Sequence, residues 1–401
     1  MTAQHDTAAP APPPSMLRRY VFAGLSASLV SIGLARFAYT PLIPPLIHAH
    51  WFSANDVVYL SAANLAGYLI GAVTGRRIAA RISNVYLLRL MMTLVTTSLV
   101  ACAFPLSVIW FFFWRLLSGV GGGAIMVVVA ATVLPHMPAH RRGAASGAVF
   151  LGVGLGIAAS GTLVPLLLKV SLLATWLGLA AISAALTAAT WRCWPPRAAQ
   201  TMTERPQHGS PRPAHTAVVA LLYAEYALMA IGLVAPMVFL VDFVARGLGA
   251  GNQLGAIIWI FYGIGSMLGP PLYGLIADRA GARAAVRLLL TAQAIAVAGL
   301  ARSNQAVALG ILSVIIGSFP PGIVPMVLAW IRELYPGDQN RQNAVWSGAT
   351  IDFAAFQALA AYAFSAIYAA SGGDYRLIFM FGAGALLLAV LLDLLGNPTP
   401  A

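Results

Sequence analysis

Four ionisable side chains stand inside otherwise apolar stretches of this 401-residue chain: Arg36, Arg115, Glu225 and Asp352. A charge at the centre of a bilayer costs between about 2.5 and 17 kcal/mol, so such groups persist where a partner or a polar cavity receives them. Arg36 lies in "SIGLARFAYTPLIPPL", with Tyr39 and Thr40 three and four residues on. That spacing sets the three side chains on one helical face. A guanidinium beside hydroxyls suits a carboxylate or another anion. Tyr223 and Tyr226 flank Glu225 and offer aromatic walls, and Asn64 and Gln357 add polar groups within apolar segments. Glu225 and Asp352 are candidates for proton coupling, because a carboxyl group whose surroundings change can load and release a proton. Each residue also has a plainer reading. Arg36 could tie two helices by pairing with Glu225 or Asp352, or snorkel toward a lipid surface. Arg115 could bind helix carbonyls. Glu225 could sit protonated and inert, and Asp352, beside Gly348, Ala349 and Ala355, could mark a tight helix contact. Tyrosines at these spacings commonly only pack.

The elements that position these groups follow from composition. Hydrophobic residues make up 60% and charged residues 8% of the chain, with mean hydropathy +0.83. Soluble domains carry about 25% charged residues. The apolar runs are long and do not alternate, which predicts membrane-spanning helices rather than barrel strands. Twelve segments are expected: 18–46, 57–75, 85–104, 106–134, 144–167, 172–191, 216–244, 253–276, 284–301, 305–331, 343–369 and 375–395. With the N-terminus inside, one set of loops and helix ends holds seventeen arginines and the other only Lys169, Arg246, Arg302 and Arg376. That imbalance follows the positive-inside rule. The net charge of +12 is therefore a topology signal and not a nucleic-acid footprint. Both termini are expected in the cytoplasm. The single lysine against plentiful arginine fits a bacterial chain, expected in the inner membrane. Depth follows from a rise of ~1.5 Å per residue. Arg36 falls beyond the midplane on the outer side; Arg115, Glu225 and Asp352 fall near mid-depth; Asp242 falls at an outer helix end, as an exposed charge. The prolines at 41, 44 and 45, and Pro320, Pro321 and Pro325, should weaken helix continuity where a cavity or hinge lies.

Residues 1–15 read as a disordered Pro/Ala tail without a signal-peptide pattern. The stretch "WRCWPPRAAQTMTERPQHGSPRPAHT" is polar and proline-rich and reads as an inner linker, 192–215. It separates two six-helix units, 16–191 and 216–401. Cys102 and Cys193 are not placed for a disulfide.

The halves echo each other. "GLIADRAGAR" after the eighth segment, with Gly274, Asp278, Arg279, Gly281 and Arg283, matches "GAVTGRRIAAR" after the second. An Asp among arginines at a helix end can latch two helices. The first of these stretches resembles the inner-loop signature of the major facilitator superfamily. Arg115-Leu-Leu-Ser-Gly119-Val-Gly121-Gly-Gly123 is similar to that superfamily's Arg-then-glycine motif. Gly143, Gly152, Gly156 and Gly161 resemble the glycine motif of its antiporters, with Ile157 and Ser160 departing from it. Gly75 stands where the first-half loop would carry an Asp. "GLARFAYTPLIPP" further resembles the YbfB/YjiJ-type branch. The resemblance implies an all-α fold of two six-helix bundles around a central cavity, working by alternating access.

No histidine falls deep in a segment, and neither a metal-ligand cluster nor a nucleotide-binding loop is present in the sequence, so an enzyme is not expected. The reading is a secondary active transporter of a small organic solute, coupled to protons, without cofactor and monomeric in the bilayer. The glycine motif favours efflux. The alternatives are an organic-anion uptake symporter using Arg36, and a non-transporting sensor or assembly protein that keeps the fold.

Overall fold

A computed structural model describes residues 13–138, 141–196, 213–336 and 338–396. The described residues form helices and turns, and twelve helices are long and apolar enough to cross a membrane. They are α1 (Pro14–His48), α2 (Ala54–Ile82), α3 (Asn84–Ala101), α4 (Val108–Val133), α5 (Arg142–Leu168), α6 (Leu172–Thr190), α7 (Pro213–Asp242), α8 (Gly251–Ala280), α9 (Ala282–Leu300), α10 (Ala306–Leu334), α11 (Gln339–Ala370) and α12 (Tyr375–Leu395). Most of the expected tail and linker, residues 1–12 and 197–212, lie outside the described residues. Because the helices alternate in direction, the start of α1, the end of α12, the end of α6 and the start of α7 share one face, called here the terminal face; the other is the far face.

α2 continues past the expected residue 75 to Ile82, carrying Arg76, Arg77 and Arg81 with it. A capping box at Ser53 and Asp56 starts it. α1 is irregular, as its prolines foretell. It is a π-helix over Leu29–Leu34 and a 3-10 helix over Phe37–Leu42, with Arg36 between them. Pro41 lacks the N–H that would continue the ladder. α10 departs from expectation: it stays helical through Pro320, Pro321 and Pro325. In a helix packed by neighbours, tertiary contacts hold the backbone where the ring removes hydrogen bonds.

One seam recurs in both halves. A methyl group on Gly67, Gly71, Gly119 or Gly123 would strike the backbone of the facing helix across the α2–α4 contact, and one on Gly265, Gly269 or Gly317 would do so across α8–α10. Small residues let transmembrane helices approach this closely. The connection after each seam also repeats. Gly281 joins α8 to α9 at φ +82°, ψ 154°, and Ser83 joins α2 to α3 at φ +93°, ψ 150°. That backbone region is natural only for glycine.

Candidate functional site

A cavity between the halves is lined by α1 (Ile32, Arg36, Phe37), α2 (Tyr68), α4 (Met126), α5 (Phe150, Val153), α7 (Tyr226, Leu233, Met237), α10 (Pro320, Pro321, Val324) and α11 (Trp346, Thr350, Phe353, Gln357). Its volume is about 90 Å³. The wall is mostly apolar, with Arg36 as its charged group.

Arg36 sits at the junction of the π and 3-10 segments of α1, which turns its side chain across the halves. Its Nη2 meets Met237 Sδ at 3.4 Å. Its guanidinium lies 5.2 Å from the Tyr68 ring centre and 5.6 Å from that of Phe37. The Nε is buried without a hydrogen-bond partner. Among the described residues no carboxylate stands within ion-pair distance of Arg36. The interhelical tie to Glu225 or Asp352 is therefore not made. Gln357, 3% exposed, brings an amide oxygen that also has no partner. The cavity thus joins an unpaired cation to an unpaired acceptor between aromatic walls.

Four of the expected cavity residues form a frame behind this wall. Arg115 is 2% exposed and donates from Nη1 to the Ala35 carbonyl at 2.5 Å, at the break in α1. Its guanidinium stacks 4.1 Å from the Tyr39 ring centre. Tyr39 donates to the Val57 carbonyl at 3.0 Å, and Asn64 donates to the Arg115 carbonyl and to Ser118 Oγ. Thr40 donates to the Met237 carbonyl at 2.9 Å, joining α1 to α7. Tyr223 donates to the Val345 carbonyl at 3.2 Å, next to the half-buried Asp352, whose Oδ2 has no partner.

Glu225 lies a third of a turn around α7 from Tyr226 and faces α12 rather than the cavity. It is wholly buried, and among the described residues neither carboxyl oxygen has a hydrogen-bond partner. The charged groups nearest to it are Asp393 of α12 and Arg283 and Arg287 of α9. Asp393 accepts from Arg283 at 2.9 Å and from Arg287. Of the loop signature, Gly274 has open space around it, Arg279 is exposed, and Arg283 joins this cluster. The side chain of Asp278 lies outside the described residues. Asp242, expected as an exposed end charge, is 1% exposed. It pairs with Arg246 at 2.5 Å and accepts from Tyr375 at 2.6 Å, because α11 and α12 close over the end of α7.

On the far side of the cavity side chains of the two halves touch. Trp259 donates to Ser160 at 3.0 Å, Phe37 packs on Trp259 and Tyr262, and Tyr59 meets Tyr362. The α5 glycines serve packing: Gly152 and Gly156 press on α1, and Gly154 and Gly161 on α8. Sequence reasoning missed Tyr68, Trp346, Thr350 and Phe353. The last three share a helical face with Gln357, at 346, 350, 353 and 357, which is the signal that finds them.

The family described as "Uncharacterised MFS-type transporter YbfB" matches residues 28–394. An inner membrane metabolite transport protein, YdjE, of Escherichia coli (strain K12) is 27% identical over 123 residues, 31% of this chain and 27% of that one. A glucose transport protein of Synechocystis sp. (strain ATCC 27184 / PCC 6803 / Kazusa) is 33% identical over 93 residues, 23% of this chain and 20% of that one. The matched stretches thus span about a quarter or less of these curated relatives. The crystal structure of a D-xylose-proton symporter superposes with a TM-score of 0.74 at 16% identity, over 94% of this chain and 96% of that one, which shows a shared fold. Twelve helices long and apolar enough to cross a membrane, an interhalf cavity and a family match across nearly the whole length lead to one conclusion: the chain belongs to the YbfB-type family of major facilitator superfamily proteins.

Proposed function

We propose that this chain is a secondary active transporter of a small organic anion, with an apolar body and a hydrogen-bond donor, whose anionic group is held by Arg36. The observation that carries this reading is the Arg36 guanidinium: it lines the cavity between the halves and has no carboxylate partner among the described residues. A cation in a low-dielectric site invites an anion, and a guanidinium can grip a carboxylate through two parallel hydrogen bonds. Gln357 Oε1 would accept from a hydroxyl or N–H of the solute. Phe37, Tyr68, Tyr226 and Phe353 would hold its apolar part. The cavity is small beside the roughly 300–1,000 Å³ of drug-sized sites, which fits a small solute.

Transport would proceed by rocking the two six-helix units, 16–191 and 216–401, about the cavity. Glu225 and Asp352 are the proposed proton-coupling groups, and Asp278 the proposed latch residue at the terminal face. The arginine distribution supports a terminal face in the cytoplasm. The α5 glycines, read from sequence as an efflux signal, have a packing role that serves either direction.

A second reading, a neutral sugar, takes support from the glucose transport protein among the relatives. The two readings part in a flux panel. Purified protein in proteoliposomes would be offered small hydroxycarboxylates, simple carboxylates, hexoses and pentoses under an imposed pH gradient. The anion reading expects saturable uptake confined to the acids. Saturable hexose or pentose flux with none from the acids would sink it.

A further inference from the structure

A second cavity, of about 750 Å³, lies at the terminal face between helices of the first half and the residues just after α6, away from the cavity between the halves. It is walled by the ends of α2 and α4, the start of α3, and Trp194, Pro195 and Pro196 after α6. Among the described residues its polar lining consists of Arg76, Ser83, Asn84, Arg89, Thr132, His136 and Trp194, without a carboxylate. Among the described residues neither Arg76 nor Arg89 forms an ion pair.

Two buried donors on this wall have no acceptor among the described residues. Trp194 is 7% exposed and its Nε1 has no hydrogen-bond partner. Arg89, held 5.2 Å from the Trp191 ring centre, has a buried Nε that likewise lacks one. Buried N–H groups are almost always paired, so two orphans on one cavity wall ask for an acceptor from elsewhere. The start of α3 adds its own partial positive charge at Asn84 and Val85. The backbone is strained there: Ser83 holds φ +93° to cap α3, where the second half places Gly281. His136 contacts the Thr132 carbonyl through Nδ1, which leaves Nε2 uncommitted.

We propose that this cavity binds the phosphate group of an anionic ligand, through Arg76, Arg89 and the Trp194 N–H. The chemistry is that of an acceptor-only anion: several oxygens, full charge, and no need for an acceptor on the protein. A lipid headgroup and a soluble phosphate share it. The surroundings favour the lipid. Ile78, Ile82, Tyr86 and Leu90, on the same two helices, are exposed apolar side chains suited to acyl chains. Basic pockets between helices at the headgroup level take lipid phosphates.

The test uses full-length protein, delipidated in a non-ionic detergent, and its thermal unfolding midpoint. Three probes are added in turn: phosphatidylglycerol, diacylglycerol with the same chains, and inorganic phosphate at fixed ionic strength. A saturable rise with phosphatidylglycerol and none with diacylglycerol is expected. Arg76→Gln with Arg89→Gln should weaken the apparent affinity about tenfold or more. Trp194→Phe, which keeps the ring and loses the donor, should weaken it a few-fold and guards against a folding defect in the arginine variant. A rise with inorganic phosphate of equal size, lost in the same variants, would confirm the phosphate site and assign it to a soluble ligand. Equal rises from phosphatidylglycerol and diacylglycerol would overturn the proposal. So would a phosphatidylglycerol response unchanged in both the arginine and the Trp194 variants.

Discussion

The two six-helix halves share one scaffold and bury opposite charges. Each closes its central seam with glycines, α2 on α4 and α8 on α10, and each turns the next connection through the same backbone conformation, at Ser83 and Gly281. The first half then buries Arg115 and half-buries Arg36 within its helices, while the second buries Glu225, Asp242 and Asp393 and half-buries Asp352. The difference teaches which charges hold the fold and which are left for other work. Arg115 is spent on the Ala35 carbonyl and the Tyr39 ring, Asp242 on Arg246 and Tyr375, and Asp393 on Arg283 and Arg287. Arg115 keeps an unpartnered Nε as well, but Arg36, Glu225 and Asp352 have neither an opposite charge nor a backbone carbonyl as partner among the described residues.

The shared scaffold can be broken most severely at the seam. Gly123→Leu in the first half and Gly317→Leu in the second both drive a side chain into facing backbone. Both should abolish the monodisperse peak in size-exclusion chromatography; survival of one would mean that the halves do not share the seam's tolerance. The paired charges come next. Asp393→Asn removes the carboxylate charge that Arg283 and Arg287 share, and Asp242→Asn removes the one that pairs with Arg246. Each should lower stability in chemical unfolding by about 2 kcal/mol, less than the 3–5 kcal/mol of a fully buried pair because the arginines are partly exposed. No loss at either site would count against the division into paired and unpaired charges. The connections give a smaller contrast. Gly281→Ala should cost about 1 kcal/mol, since φ +82° strains any side chain. Ser83→Gly should be within about 0.5 kcal/mol of wild type, strain relief offsetting the lost cap. Matching losses at both sites would remove the asymmetry. The smallest stability effect should come from Glu225→Gln, which keeps shape and makes no observed bond: within about 0.5 kcal/mol. The same variant should exchange solute yet lose accumulation driven by a pH gradient. Wild-type accumulation would shift the coupling to Asp352.

Much of this was legible in the sequence. Long unalternating apolar runs require helices in lipid, so the twelve spans and the repeat follow from composition and spacing. Arg36 could be recognised because a lone charge in oil needs a cavity or a partner. What could not be read is rotation about the helix axis at single-residue precision. Tyr226 faces the cavity and its neighbour Glu225 faces α12, a difference of about 100° set by packing. Arg115 was ambiguous for another reason: its acceptor, the Ala35 carbonyl, is freed by a local break in α1. α10 shows the limit of a local rule, since its three prolines bend no pattern that the neighbouring helices do not restore. Asp242 looked like an end charge because the closing of α11 and α12 over α7 is tertiary.

The central claim is that Arg36 holds the anionic group of the solute, and binding tests it most directly. Trp346 lines the cavity, so its fluorescence can report occupancy by an acid identified in the flux panel. The expected result is a dissociation constant raised about 100-fold in Arg36→Ala and only partly restored in Arg36→Lys, since lysine cannot form the two-pronged grip. A neutral amide analogue of the same acid should bind wild type and Arg36→Ala alike. Equal affinity of the acid for wild type and a folded Arg36→Ala variant would contradict the account.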